Sequence, residues 1–166
     1  MKRIKNVLWV DKNIECYKFI LIDKLKETTF GENVNIEFFS NFEEALNTSL
    51  KPVDFVISNY NSFFWSDYIP DDKAPSDKKK YCFFLYEEIT KKFPLVQFIL
   101  HTALPHTEDP LISIYDKSFE NFHFISKNEP NSIKNILSLI TGELDLYELE
   151  ARFGIKPRPS NVLYLR

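Results

Sequence analysis

VDFVISNYN, residues 53–61, passes from an apolar, β-branched run to a polar end within a few positions. Val53, Phe55, Val56 and Ile57 leave no solvent-facing stripe, so the run reads as a strand covered on both sides, as strands of parallel sheets are. Asn59 then stands at the strand's carboxyl end, while Asp54 opens it at the opposite end. Four further runs share this character. They are Ile4 to Val10 ending at Asp11, Val34 to Phe39, Leu95 to Leu100 leading to Thr102, and Phe122 to Ser126 leading to Lys127.

Helical spacing fills the intervals. Ile14, Tyr17, Leu21 and Leu25 share one face of a first helix. Ser40 and Glu43 have the spacing of a capping box and predict a short second helix through Phe42, Ala45, Leu46 and Ser49, stopped by Lys51-Pro52. Cys82, Leu85, Ile89 and Phe93 predict a third, ended by Pro94. Asp109-Pro110 reads as an N-cap with proline at the first helical position of a fourth, running through Ile112, Tyr115 and Phe119. Ile133, Ile136, Leu137 and Ile140 predict a fifth, with Gly142 as its stop. Five strands alternating with five helices predict an α/β fold, an open parallel sheet with helices on both faces. In such sheets ligands meet the carboxyl ends of the strands.

Residues 60–80 break the alternation and read as a long loop. Beyond Gly142, Leu146, Leu149 and Phe153 predict a short extra helix, and Gly154, Pro157 and Pro159 make the remainder extended. The expected organisation is one domain over residues 1–142, followed by a helix and tail over 143–166.

Composition narrows the function classes. Hydrophobic residues are 44% and charged residues 27% of the 166, enough to bury one core in a soluble domain. A net charge of −3 gives no general pull toward nucleic acid or anionic membranes. Basic residues of the tail (Arg152, Lys156, Arg158, Arg166) are diluted by Glu148 and Glu150. No apolar run approaches the roughly 20 residues of a membrane span, and the N-terminus lacks the apolar core of a secretory signal. Cys16 and Cys82 have no metal-ligand spacing and read as free thiols of a reducing cytoplasm. Gly31, Gly142 and Gly154 are scattered, which excludes a glycine-rich phosphate loop. No cofactor and no bound metal are expected.

VLWVDKN at the first strand, DFVISNYN at the third, FILHTA at the fourth and FHFISK at the fifth resemble, in order and approximate spacing, the receiver domains of two-component response regulators. The likeness spans roughly residues 4–140. It implies a CheY-like, flavodoxin-like (βα)5 fold with strand order 2-1-3-4-5, a bacterial signalling setting and no catalytic residues. In that family two acidic residues at the first strand hold Mg²⁺ and an aspartate at the third accepts phosphate. A Thr or Ser and a Lys at the fourth and fifth strands contact the phosphoryl group. Carried over by position, Asp11 matches the first acidic residue, Thr102 the hydroxyl, Ala103 the small residue after it, Lys127 the lysine, and Phe124 the switch aromatic.

Two positions depart from the pattern. Asn59 replaces the phosphoacceptor, and a carboxamide is no nucleophile for making an aspartyl phosphate. Lys12 replaces the second acidic residue, and an ammonium opposes a dication. The expectation is a degenerate pocket in which Lys12 pairs with Asp11 while the Asn59 carbonyl accepts from Lys12 or Lys127. Function then falls to protein–protein contact without phosphorylation, with a homodimer or partner face on helix 4, strand 5 and helix 5. The partner itself is not identified. Asp67 in the long loop is a weaker substitute phosphoacceptor. Phe63, Phe64, Trp65, Tyr68 and Ile69 form either a partner-binding surface or a lid, and Lys78 to Lys80 a solvated run. The rival reading is a small-anion or nucleotide binder, or an enzyme, using Thr102 and Lys127 in the same crevice. His101 and His106 lie near that crevice without an acidic partner fixed by spacing, and His123 reads as structural.

Overall fold

The computed structural model describes residues 3–28, 33–48, 51–60, 81–105 and 109–142. Five strands and five helices alternate: β1 (Lys5–Val10), α1 (Ile14–Lys26), β2 (Val34–Phe39), α2 (Phe42–Thr48), β3 (Phe55–Ser58), α3 (Tyr81–Lys92), β4 (Gln97–Thr102), α4 (Pro110–Ser118), β5 (Phe122–Ser126) and α5 (Ser132–Thr141). The strands form one parallel sheet in the order β2-β1-β3-β4-β5, the CheY-like flavodoxin fold that was expected. Among the described residues no helix is long and apolar enough to cross a membrane.

Alternation along each strand divides the core into two layers. Leu8, Val10, Val56, Phe98, Leu100 and Phe122 meet α2, α3 and α4 through Phe42, Ala45, Cys82, Leu85, Ile89 and Ile112. Val7, Trp9, Phe55, Ile57, Ile99 and Ile125 meet α1 and α5 through Ile14, Leu21, Ile136, Leu137 and Ile140. All four residues of β3 are buried, as a central strand covered on both faces requires.

Local chemistry accounts for most boundaries. The Asp109 carboxylate accepts from the Leu111 N–H at 2.9 Å, with proline inside the first turn of α4. Gly142 ends α5 at φ 84°, a left-handed conformation that glycine adopts without Cβ strain. Elsewhere the structure corrects the expectation. β3 and β4 each begin two residues later than predicted, and Leu95 is solvent-exposed rather than in a strand. At α2 the capping side chain is Asn41, which accepts from the Glu44 N–H at 3.0 Å, so the helix opens one residue later than a Ser40 cap would set it. Ser49, the residues between Asn61 and Lys80, and those beyond Gly142 lie outside the described residues.

The two capping assignments separate experimentally. Asn41→Ala should lower stability by about 1 kcal/mol, the usual worth of an N-cap, whereas Ser40→Ala at an exposed position should stay within about 0.5 kcal/mol. Urea midpoints of the two variants check this.

Candidate functional site

The ladder runs one step past the ends of β1, β3 and β5. Asp11 N–H donates to the Phe39 carbonyl at 3.0 Å, Asn59 N–H to the Val10 carbonyl at 3.1 Å, and Lys127 N–H to the Thr102 carbonyl at 2.8 Å. Asp11, Asn59, Thr102 and Lys127 are thereby fixed by backbone at the carboxyl edge of the sheet, where an open α/β fold presents its crevice.

Asp11 is the centre of this edge. It is only 1% exposed, and each carboxylate oxygen has an assigned partner. Oδ1 accepts from the Asn13 N–H at 2.9 Å. Oδ2 accepts from Lys127 Nζ at 2.6 Å, from the Tyr17 hydroxyl at 2.5 Å, and from Asn59 Nδ2 at 3.3 Å. Burial pushes the carboxyl upward. The bonds from Lys127, Tyr17 and Asn13, with the charge of Lys127, outweigh it and hold the group below its ordinary value. Burial, then the bond to Asp11, pushes the Tyr17 phenol well above its ordinary range, so it stays a donor. Lys127 also lies 5.9 Å from the centre of the Tyr17 ring.

Lys12 does not take the place expected of it. Its side chain is exposed, and the cation that holds Asp11 is Lys127. The Asn59 amide turns its nitrogen, not its carbonyl, toward Asp11. The physical reason lies in direction: residue 12 begins the turn into α1 and points outward, while the chain after β5 brings Lys127 over the strand ends. Thr102 is buried, and its hydroxyl accepts from the Leu104 N–H at 3.2 Å. Ala103 is exposed, and its carbonyl accepts from Asn128 Nδ2 at 3.2 Å. Phe124 is half-buried against the α2–α4 side of the core. Phe63, Phe64, Trp65, Asp67, Tyr68, Ile69, Lys78 to Lys80 and His106 lie outside the described residues.

Tyr17 and Asn13 join the site without having been singled out for it. Tyr17 sits on the buried face of α1, where a hydroxyl needs a partner; a tyrosine six residues after a strand-end aspartate is the signal that was available. His101 is buried beside this cluster, edge-on to Trp9, with Nε2 3.2 Å from Ser132 Oγ and no partner for Nδ1. Burial, aided by the Lys127 charge, lowers its pKa to about 4, so the imidazole is neutral at pH 7. His123 pairs with Gln97 across β4 and β5, as a structural residue does.

Among the described residues, those at the strand ends do not suit Mg²⁺. A hard dication needs several free oxygen ligands, whereas both oxygens of Asp11 are taken by hydrogen-bond donors, one of them a cation.

Acid should weaken the fold in two stages. His101, with a folded value of about 4 against 6.5 unfolded, leaves the unfolded chain binding the extra proton, so stability falls from about pH 6.5 down to about 4, by on the order of 3 kcal/mol. Asp11, depressed in the fold, contributes stability above its unfolded value of 3.8 and loses it as pH drops through the folded value. His101→Gln should flatten the upper stage in urea titrations against pH. Lys127→Met should cost about 3–5 kcal/mol at pH 7 by stranding a buried charge. It should also shrink the Asp11 contribution, because the Tyr17 and Asn13 bonds remain while the bond and charge of Lys127 no longer offset burial.

No family model and no curated protein sequence matches the chain. Solved structures do. A response regulator from Burkholderia pseudomallei with a phosphorylated aspartic acid aligns at TM-score 0.56 and 15% identity, covering 89% of this chain and 71% of that one. A CheY-like receiver domain protein from Methanospirillum hungatei JF-1 aligns at TM-score 0.56 and 18% identity, covering 89% and 98%. The DrrB receiver domain activated by BeF3 aligns at TM-score 0.54 and 15% identity, covering 85% and 99%. Its structural neighbours are thus receiver domains, and at these identities the likeness establishes the fold.

Proposed function

We propose that the chain is a signalling module of the receiver type that acts through protein–protein contact and is not phosphorylated. The observation that carries this reading is the saturation of Asp11 by Lys127, Tyr17 and Asn13. Lys127, matched to the residue that contacts a phosphoryl group in receivers, is committed to an internal carboxylate. Asn59, at the phosphoacceptor position, supplies an amide donor to the same carboxylate. Charge that a metal and a phosphate would balance is balanced by side chains, so the described residues form a polar lock with no phosphoacceptor carboxylate at position 59.

A partner then reads surface rather than phosphate. Of the α4–β5–α5 side that the resemblance nominates for a homodimer or partner, α4 exposes Ile114 at 51% and the residue that ends it, Phe119, is 40% exposed; apolar surface of this kind anchors interfaces. The rival reading, an anion or nucleotide held at the strand ends, has less support because Lys127 and Thr102 already have intramolecular partners.

Incubation with acetyl phosphate and Mg²⁺ should leave the intact mass unchanged; a product heavier by one phosphoryl unit refutes the proposal. In the double variant Lys12→Asp with Asn59→Asp, residues 11, 12 and 59 are all carboxylates, the set that the matched family uses to hold Mg²⁺ and accept phosphate. Millimolar Mg²⁺ should raise its melting temperature while leaving the native chain unmoved, since a ligand bound by the folded state alone stabilises it. No Mg²⁺ response in that variant counts against the residue matching.

A further inference from the structure

Helix α1 turns two large apolar side chains to solvent. Phe19 is 68% and Ile20 57% exposed, while Ile14 and Leu21 of the same helix are buried. At 3.6 residues per turn, Cys16, Asp23 and Glu27 fall between these two around the helix, and all three are exposed. Glu15 and Lys26 flank the Phe19 side, and Lys12 stands in the turn that leads into the helix. The outward face thus has an apolar middle. The charges at its two ends run in opposite order: Lys12 then Glu15 before the middle, Lys26 then Glu27 after it.

We propose that this face is an interface between two copies of the chain, with the two α1 helices antiparallel about a twofold axis between Phe19 and Ile20. Residues at equal distances before and after such an axis lie opposite each other, each contact occurring twice. Phe19 and Ile20 then meet their own counterparts at the centre. Lys12 meets Glu27, and Glu15 meets Lys26. Glu15 and Lys26 each hold a partner on their own helix, Lys18 and Asp23, so the cross-helix contacts extend a chain of alternating charge. Parallel packing would set Lys12 on Lys12 and Glu27 on Glu27, so charge selects the antiparallel pair. The contact uses neither the strand-end site nor the α4 side, and it holds whether or not that site is inert.

A contact one 13-residue helix long, about 20 Å, belongs to the small, transient class of interfaces. Sedimentation equilibrium of the full chain should show monomer and dimer exchanging with a Kd of roughly 10–300 μM. Phe19→Glu with Ile20→Glu should weaken the dimer at least about thirtyfold while the urea midpoint stays put, since both positions are exposed. Lys12→Glu should weaken it about threefold or more, and adding Glu27→Lys should recover it. A chain that stays monomeric up to about 500 μM, a dimer indifferent to the two glutamates at 19 and 20, or no recovery with the charge swap overturns the proposal. A dimer lost with Ile114→Glu instead places the contact on α4 and overturns it too. The register has a test of its own, because exposed Cys16 lies opposite Asp23 of the second copy. Mild oxidation of Asp23→Cys should give a dimer bridged between Cys16 and the introduced thiol. Two turns apart on one helix, roughly 10 Å, those thiols cannot join within a chain. Absence of that bridge overturns the proposal as well.

Discussion

A carboxylate at the mouth of the sheet is almost wholly out of water, and left alone it would oppose folding by several kcal/mol. Asp11 is held instead by Lys127, 116 positions further along the chain. Their strands are not neighbours: β3 and β4 lie between β1 and β5. The ammonium therefore arrives only when the whole strand order is in place, and Asn59 at the end of β3 meets the same oxygen from the middle of the mouth. One ion pair thus depends on the complete sheet, and the sheet edge depends on it to keep a buried charge tolerable.

The second constraint is the aromatic content of the other layer. Phe98 and Phe122 stack at 5.4 Å across β4 and β5, and Phe83, Tyr86 and Tyr115 close around them. Rings of this size bury much apolar area, but each tyrosine hydroxyl must find an acceptor. Tyr86 finds Asn121 and Tyr115 finds Glu87. Tyr60, the residue after Asn59, donates to Asp109, whose other oxygen caps α4. The strand edge and the α4 surface are therefore joined by two hydrogen bonds through one side chain.

Much of this was legible in the sequence because it rests on local chemistry. Buried strands lack a polar stripe, Asp109-Pro110 opens a helix, and Gly142 closes one. What was not legible rests on direction. Lys12 is adjacent to Asp11 in sequence and was the natural partner by proximity, yet the turn into α1 carries its side chain outward. Which cation reaches the carboxylate is decided by the path of the chain after β5. Tyr17 read as a core residue since its ring is one; only the fold shows where its hydroxyl ends. At α2, Ser40 and Asn41 are both good caps, and the choice falls to the residue whose side-chain oxygen meets the third N–H. Phe19 and Ile20, exposed at 68% and 57%, fall outside the stripe of Ile14, Tyr17, Leu21 and Leu25, so helical spacing had already set them apart.

A ligand can shift a conformational equilibrium only by its differential affinity for the two states. At the strand edge that differential has been reduced from within. An anion must displace Lys127 from Asp11, and a cation must displace Lys127 and Tyr17; either act strands a buried charge or a buried hydroxyl. The edge is thus poorly suited to sense small ligands and well suited to hold α1, β3 and the start of α5 in one arrangement. On the proposed reading, what the domain communicates is decided at its exposed surfaces, where α1 presents Phe19 and Ile20 and α4 presents Ile114 to solvent.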